Sequence, residues 1–235
     1  MNKKDILLQL RMPTVMAPRF EPLEPCPMGM TRLLMAEAGL YLESAQPWGV
    51  FREIIWESPR LLPYGPVEPQ DGFAAALRKS FPEWRDIVPA ATRAAEVDKE
   101  WAGWIVWRED RGFFYWPVGH KATPVSADYD EKLPDGTCLV ADIHSHGRLD
   151  AYFSENDDQD DALGGSTVTA EGVKMSIILG KYDRSSPFPF REVALRYVIR
   201  GFLYPKDFSE ILSAERAEEC DDSNNAQKSQ TLPAS

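Results

Sequence analysis

The chain is poor in cysteine, histidine and positive charge, and it holds no long apolar run. Its three cysteines among 235 residues, Cys26, Cys138 and Cys220, are an odd number at wide spacings. They form no readable disulfide framework and no Cys-x-x-Cys metal site; Cys138 is expected in the core and the other two are incidental. Lys and Arg total 26 against 37 Asp and Glu, a net charge of -11. That excludes a nucleic-acid binder relying on a general positive field and leaves room only for a local basic patch. No apolar run approaches the roughly 18 residues a membrane-crossing helix needs. Lys3 and Lys4 supply the charge of a signal peptide, but Gln9 and Arg11 interrupt the apolar stretch that would have to follow. The expected location is therefore the cytoplasm.

What is present is the composition of an ordinary globular protein, 43% hydrophobic and 27% charged. The length suits one or two domains and a core that needs no staples. Residues 1–70 read as a small β-rich module. Five prolines between Pro13 and Pro27 exclude long regular elements there. Arg32 to Glu43 and Gly49 to Trp56 read as two strands around a Ser-Ala-Gln-Pro turn, followed by a proline-rich loop from Ser58 to Gln70. Residues 71–207 read as a strand-rich domain. Asp71 is placed to cap a helix running to Phe81, and a second helix spans Glu83 to about Val97, kinked or restarted at Pro89. Strands are expected at Trp101–Trp107, Gly112–Val118, Thr137–Ile143, Val173–Leu179 and, as one or two, across Glu192–Phe202. Ser154 to Gly164 reads as a helix. Residues 208–235 form a C-terminal segment whose tail, from Cys220, lacks apolar side chains and is expected to be disordered. The fold class is α+β: a mixed β-sheet with flanking helices behind the N-terminal module.

Two of the three histidines, His144 and His146, end an apolar run, Leu139 to Ile143. Residues i and i+2 of a strand share a face about 6.5 Å apart, so both imidazoles can converge on one metal ion. Ser154 and Asp157 follow, giving His144-x-His146-x7-Ser154-x2-Asp157. Two histidines and one carboxylate leave a tetrahedral zinc with an open position, the arrangement of a catalytic site. Ser154-x-x-Asp157 is also a helix start, with a serine cap and an acid in the first turn, and one geometry can serve both purposes. Asp157, Asp158, Asp160 and Asp161 can alternatively be a solvated acidic face whose repulsion a cation offsets. Asp158 is the substitute ligand if the helix phase slips by one, and Asp142, on the histidine face but deeper in the strand, is a weaker one.

These residues match the JAMM (JAB, MPN+) metallopeptidase motif, and the chain resembles that family over roughly Phe73 to Phe202. The family also uses an upstream glutamate in a Glu-x-x-Gly context. Glu100, before Gly103 and 44 residues before His144, fits; Glu96 and Glu109 are the other candidates. More narrowly, Ala151-Tyr152-Phe153-Ser154, the acidic cluster and the tryptophan-bearing N-terminal module resemble the JAB-type protein of the bacterial PRTRC cassette. One departure is Gly147, where most of the family has proline; a more mobile loop from Gly147 to Tyr152 is expected.

The resemblance implies a JAB/MPN, cytidine-deaminase-like fold. It implies that His144, His146 and Asp157 hold Zn²⁺, that Glu100 is the general base and that Ser154 donates to the oxyanion, an effect of about 3–4 kcal/mol. It implies peptidase or isopeptidase action on the tail of a ubiquitin-like or sulfur-carrier-like protein, with a ThiF-type adenylating enzyme as partner. The rival readings are a non-catalytic MPN-type interaction module and a hydrolase of small amides. His120 is expected in a loop outside the site. The clusters Trp101, Trp104, Trp107 and Phe113 to Trp116 read as packing, or in part as a groove for an extended peptide.

Overall fold

The computed structural model describes residues 12–118, 132–163 and 172–211, the backbone of 120–122 and 127–129, and a few positions before residue 12. The tail beyond Cys220 lies outside the described residues. The elements, in chain order, are β1 (Thr14–Met16), β2 (Thr31–Ala36), β3 (Gly39–Gln46), β4 (Gly49–Glu57), β5 (Gln70–Asp71), α1 (Gly72–Lys79), a 3-10 turn (Phe81–Glu83), α2 (Trp84–Glu96), β6 (Trp101–Arg108), β7 (Gly112–Pro117), β8 (His120–Ala122), β9 (Ala127–Tyr129), β10 (Cys138–Ser145), α3 (Glu155–Leu163), β11 (Val173–Tyr182), β12 (Phe190–Ile199) and β13 (Phe202–Lys206). The fold is α+β, with two mixed sheets and few helices.

The N-terminal sheet has the order β1-β2-β3-β4-β5. The run from Arg32 to Glu43 is two strands rather than one, because the chain reverses between Ala36 and Gly39, which pair across a hairpin. A Cβ on Gly39 would come within 2.1 Å of the Trp56 carbonyl oxygen, and its φ is +148°, so only glycine fits there. The next reversal falls at Pro47-Trp48, between the paired Gln46 and Gly49, so Ser44 to Gln46 belong to a buried strand and not to a turn.

Asp71 caps α1 as expected, its Oδ1 accepting from the Ala74 amide at 2.9 Å. Pro89 neither ends nor restarts α2: it sits on the exposed side of one helix, where water can reach the carbonyl it leaves unbonded. His120 lies in β8, a strand and not a loop. No helix among the described residues is long and apolar enough to cross a membrane.

The second sheet has the order β13-β12-β11-β10-β6-β7. Its centre is the parallel pair β10 and β11. Parallel neighbours cannot be joined by a tight turn, so the chain must leave the end of β10 and cross back over the sheet. α3 lies in that crossover, which places the end of β10 beside the start of α3.

Alternation sorts the side chains of β10, β11 and β12 onto two faces. Ala141, Ile143, Met175, Ile177, Leu179, Leu195, Tyr197 and Ile199 join Phe73 and Leu77 of α1 and Ile87, Ala91 and Ala95 of α2 in the main core. The alternate positions include Asp142, His144, Lys174, Ser176 and Arg196, and they meet α3 on the opposite face. Leu42, Trp48 and Phe51 of the N-terminal sheet belong to the same buried cluster. Phe51 packs on Phe73 at 5.3 Å and edge-on to Tyr197 at 5.9 Å between centroids. Lys206 reaches Glu53 at 2.7 Å and Tyr197 Oη reaches Asp71 at 3.2 Å.

With one core common to both sheets, Phe51→Ala should cost about 3–5 kcal/mol. Urea unfolding of the parent protein, followed by near- and far-UV circular dichroism, should show one transition; two separated transitions would contradict the shared core.

Candidate metal centre

His144 is the seventh residue of β10, on its polar face, and His146 follows just past the strand end. The His146 amide donates to the Leu179 carbonyl at 2.9 Å, which carries the β10–β11 pairing one step further and fixes where its ring leaves the backbone. The two Nε2 atoms lie 3.3 Å apart. Two bonds of about 2.0–2.1 Å meeting at a tetrahedral angle would hold their nitrogens about 3.3–3.4 Å apart. Asp157 Oδ1 is 3.6 Å from His144 Nε2. One donor atom from each of the three residues fits within 4.8 Å of the others.

Each donor is held from behind. His146 Nδ1 donates to the Asp150 carbonyl at 3.1 Å, which leaves Nε2 with its lone pair toward the site. The Tyr152 ring stands edge-on to His146 at 5.0 Å. Burial pushes the His144 imidazole below its ordinary pKa, against the pull of Asp157 and Asp142, so it is neutral at neutral pH as a ligand must be. Asp157 Oδ2 accepts from Ser154 N at 2.7 Å and from Ser154 Oγ at 2.6 Å, while Ser154 Oγ accepts from Asp157 N at 3.3 Å. This is a reciprocal helix cap with an aspartate in the glutamate position. It occupies one carboxylate oxygen and turns the other toward His144. The Ser154 hydroxyl is therefore engaged with Asp157 here.

Glu100 immediately precedes β6. In the antiparallel β6–β10 pairing His144 faces Ala102 and Ser145 faces Trp101, so Glu100 and His146 are the residues next beyond the last pair. Gly103 shapes this strand start: a Cβ there would press to 2.6 Å on the Trp101 ring, which lies across the strand. Glu100 is buried, and desolvation, then the charge of Asp157, raise its pKa to about 7. Glu96 instead meets Tyr182 and Arg184, at 3.5 and 3.7 Å, and Glu109 sits in the exposed turn after β6.

The substitute ligands have other partners. Asp158 pairs with Arg196. Asp142 pairs with Lys174 at 3.2 Å. Asp161 is buried rather than part of a solvated face, and it joins Lys174 at 2.9 Å, Arg196 at 2.7 Å and Ser176 at 2.8 Å. The acidic cluster is thus offset by two cations of the sheet. Nothing in the motif names Lys174 or Arg196; the available signal was a charge at alternate positions within otherwise apolar strands.

The loop after His146 is pinned rather than loose. Lys181 N donates to Leu149 O at 2.7 Å, Tyr182 N to Gly147 O at 2.8 Å and Ala151 N to Glu192 Oε2 at 3.2 Å. Gly147 has φ +57°, a conformation closed to proline. Gly180 lets the loop lie against β11, since a Cβ would come within 2.3 Å of the Ala151 amide nitrogen. An apolar groove of about 780 Å³ between Trp84, Phe190 and Phe208 adjoins the site only through Ala151 and Glu192, and none of the three donor residues lines it.

Residues 83–193 match a family described as prokaryotic homologs of the JAB domain. Residues 2–74 match a domain of unknown function, DUF2016. The two matches place a JAB-like domain in residues 83–193 behind an N-terminal domain of another type. No curated protein matches the chain. Among solved structures, protein DSY2949 from Desulfitobacterium hafniense, determined in solution, is similar at 12% identity, over 55% of this chain and 88% of that one, with a TM-score of 0.38. At that score the likeness bears on neither fold nor function.

Gly147→Ala should cost about 1–2 kcal/mol through its positive φ, and Gly147→Pro more, as read by chemical denaturation. In metal-free protein, Glu100 binds its proton more tightly folded than unfolded, so its contribution to stability is greatest below about pH 4.3 and is lost as pH rises to about 7. Glu100→Gln should accordingly leave Tm nearly unchanged at pH 4 in chelator and raise it at pH 8; an equal shift at both would contradict the buried carboxyl.

Proposed function

We propose that the protein is a zinc-dependent peptidase or isopeptidase. It cleaves an amide bond at the extended tail of a ubiquitin-like or sulfur-carrier-like protein. The observation that carries the reading is the convergence of His144, His146 and Asp157 within 4.8 Å beside a buried glutamate. The donor set fits zinc: two imidazoles at the tetrahedral nitrogen spacing and one carboxylate oxygen turned toward them. Bound there, zinc supplies Lewis acidity and lowers the pKa of a coordinated water from 15.7 to about 7.

The chain's own groups do the rest. Glu100 is buried, and its desolvation raises the basicity of the carboxylate, as a general base requires. It takes a proton from the attacking water as the water oxygen bonds to the amide carbon. It returns that proton to the amide nitrogen as the C–N bond breaks, so an acid and an amine leave. Asp157 keeps one oxygen on the Ser154 amide and offers the other. Ser154 serves the oxyanion by turning its O–H from Asp157 to the substrate while its Oγ still accepts from Asp157 N, a gain of about 3–4 kcal/mol. His146 stays oriented by the Asp150 carbonyl throughout.

The resemblance to the PRTRC-cassette JAB protein supports a small ubiquitin-like substrate, a ThiF-type adenylating partner and action in the cytoplasm. The JAB match is compatible with that assignment and with a wider range of tail substrates.

Purified protein should carry one zinc per chain. Glu100→Gln should keep the zinc and lose cleavage of a ubiquitin-like tail fusion by about 10²–10⁴-fold. Cleavage retained by that variant would overturn the proposal. Absence of stoichiometric zinc would favour a non-catalytic interaction module, and turnover confined to small amides would remove the protein substrate.

A further inference from the structure

We infer that Arg196 is the positioning residue for Asp157, and that it acts by seating the first two turns of α3. The inference rests on the zinc reading above. α3 is a short helix of nine residues, and from Glu155 to Asp161 it contains no apolar side chain. Aspartate is a poor helix former, the five acids of that stretch repel one another, and so short a helix is not stable alone. Hydrophobic burial of these residues does not decide where Asp157 stands.

Arg196 does. Its side chain is 4% exposed, and it rises from β12 on the polar face of the sheet. Nη2 donates to the Asp157 carbonyl at 2.8 Å, Nε donates to Asp161 Oδ2 at 2.8 Å, and Nη1 donates to Asp158 Oδ1. The guanidinium carbon lies 3.8 Å from the centroid of the Phe153 ring, immediately before Ser154. One planar group thus grips residues 153, 157, 158 and 161, on both sides of the ligand in sequence. Only arginine has a rigid fork of donors able to do this together.

Arg196 is itself fixed relative to the histidines. It pairs with Ser176, which pairs with Asp142, two residues before His144. The spacing from Arg196 to the histidine strand is therefore set by two steps of the hydrogen-bonded ladder, about 4.8 Å each. Ser154 sets the direction of the Asp157 carboxylate, and Arg196 sets the place of its backbone. With Lys174, Arg196 also occupies Asp158 and Asp161, and Asp157 is the carboxylate grouped with the two imidazoles.

The test measures zinc affinity on folded full-length protein by chelator competition, alongside the visible absorption of the cobalt-loaded form and Tm. Arg196→Met should weaken zinc binding by about 10–100-fold, the usual effect of losing an outer support, and should weaken the tetrahedral cobalt bands. Arg196→Lys, which keeps the charge without the fork, should recover only part of the affinity. Lys206→Met, which breaks the distant pair with Glu53, should lower Tm and leave affinity and spectrum unchanged. If Arg196→Met does not fold, Arg196→Lys and Phe153→Leu carry the test. Wild-type affinity and spectrum in the folded Arg196 variants, with only Tm reduced, would overturn the inference alone. A parent protein that takes up no zinc would defeat the metal reading and the inference with it.

Discussion

Over Glu155 to Asp161, which carries no apolar side chain, charge holds the acidic helix to the sheet. Asp161 is buried at the junction of Lys174, Arg196 and Ser176, and Arg196 extends the same cluster to Asp158 and to the backbone of Asp157. Removing ions from water is costly, and a buried ion pair adds little net stability over a well-packed apolar contact. What such a network does supply is direction: every partner has a bond with a defined angle. Asp157 therefore has a fixed place relative to β10 although it belongs to a segment that would not hold its shape alone. The main core lies on the other face of the sheet, and this face carries the charged network beside a smaller apolar cluster that includes Trp104 and Val106.

The histidine side of the site is governed by backbone pairing. The end of β10 is continued by the carbonyls of Leu179, Leu149 and Gly147, which accept from the amides of His146, Lys181 and Tyr182, so the chain after His146 follows β11 closely. Gly180 gives that loop room, and the loop in turn offers the Asp150 carbonyl that orients His146. The glycine at 147 is a consequence of the same path: its positive φ is one that proline cannot adopt. The expectation of looseness came from glycine's freedom in isolation. The bonds around it remove that freedom.

Where sequence reading succeeded, the information was local. His144 and His146 share a strand face by alternation, Ser154 and Asp157 share a helix turn, and Asp71 caps the helix that begins beside it. Where it failed, the deciding contact was distant or sterically specific. Arg32 to Glu43 looks like one strand because the hairpin at Glu37-Ala38 lacks strong turn residues; Gly39 is explained only by the closeness of the Trp56 carbonyl. Arg196 lies 39 residues beyond Asp157, and nothing in its own neighbourhood marks it as a partner of an acidic helix.

The order of residue types along the chain determined the strand, the turn and the helix that carry the donors, because each depends on alternation or on a cap within a few residues. It also determined which donor types are on offer there, two imidazoles and a carboxylate. Tertiary structure alone decided which of four neighbouring aspartates faces the imidazoles and that Glu100 is buried near neutrality. It also decided that the loop between histidine and serine is held. Those outcomes depend on sheet order and on burial, which bring together residues far apart in the chain and strip water from them; no short stretch of sequence contains either.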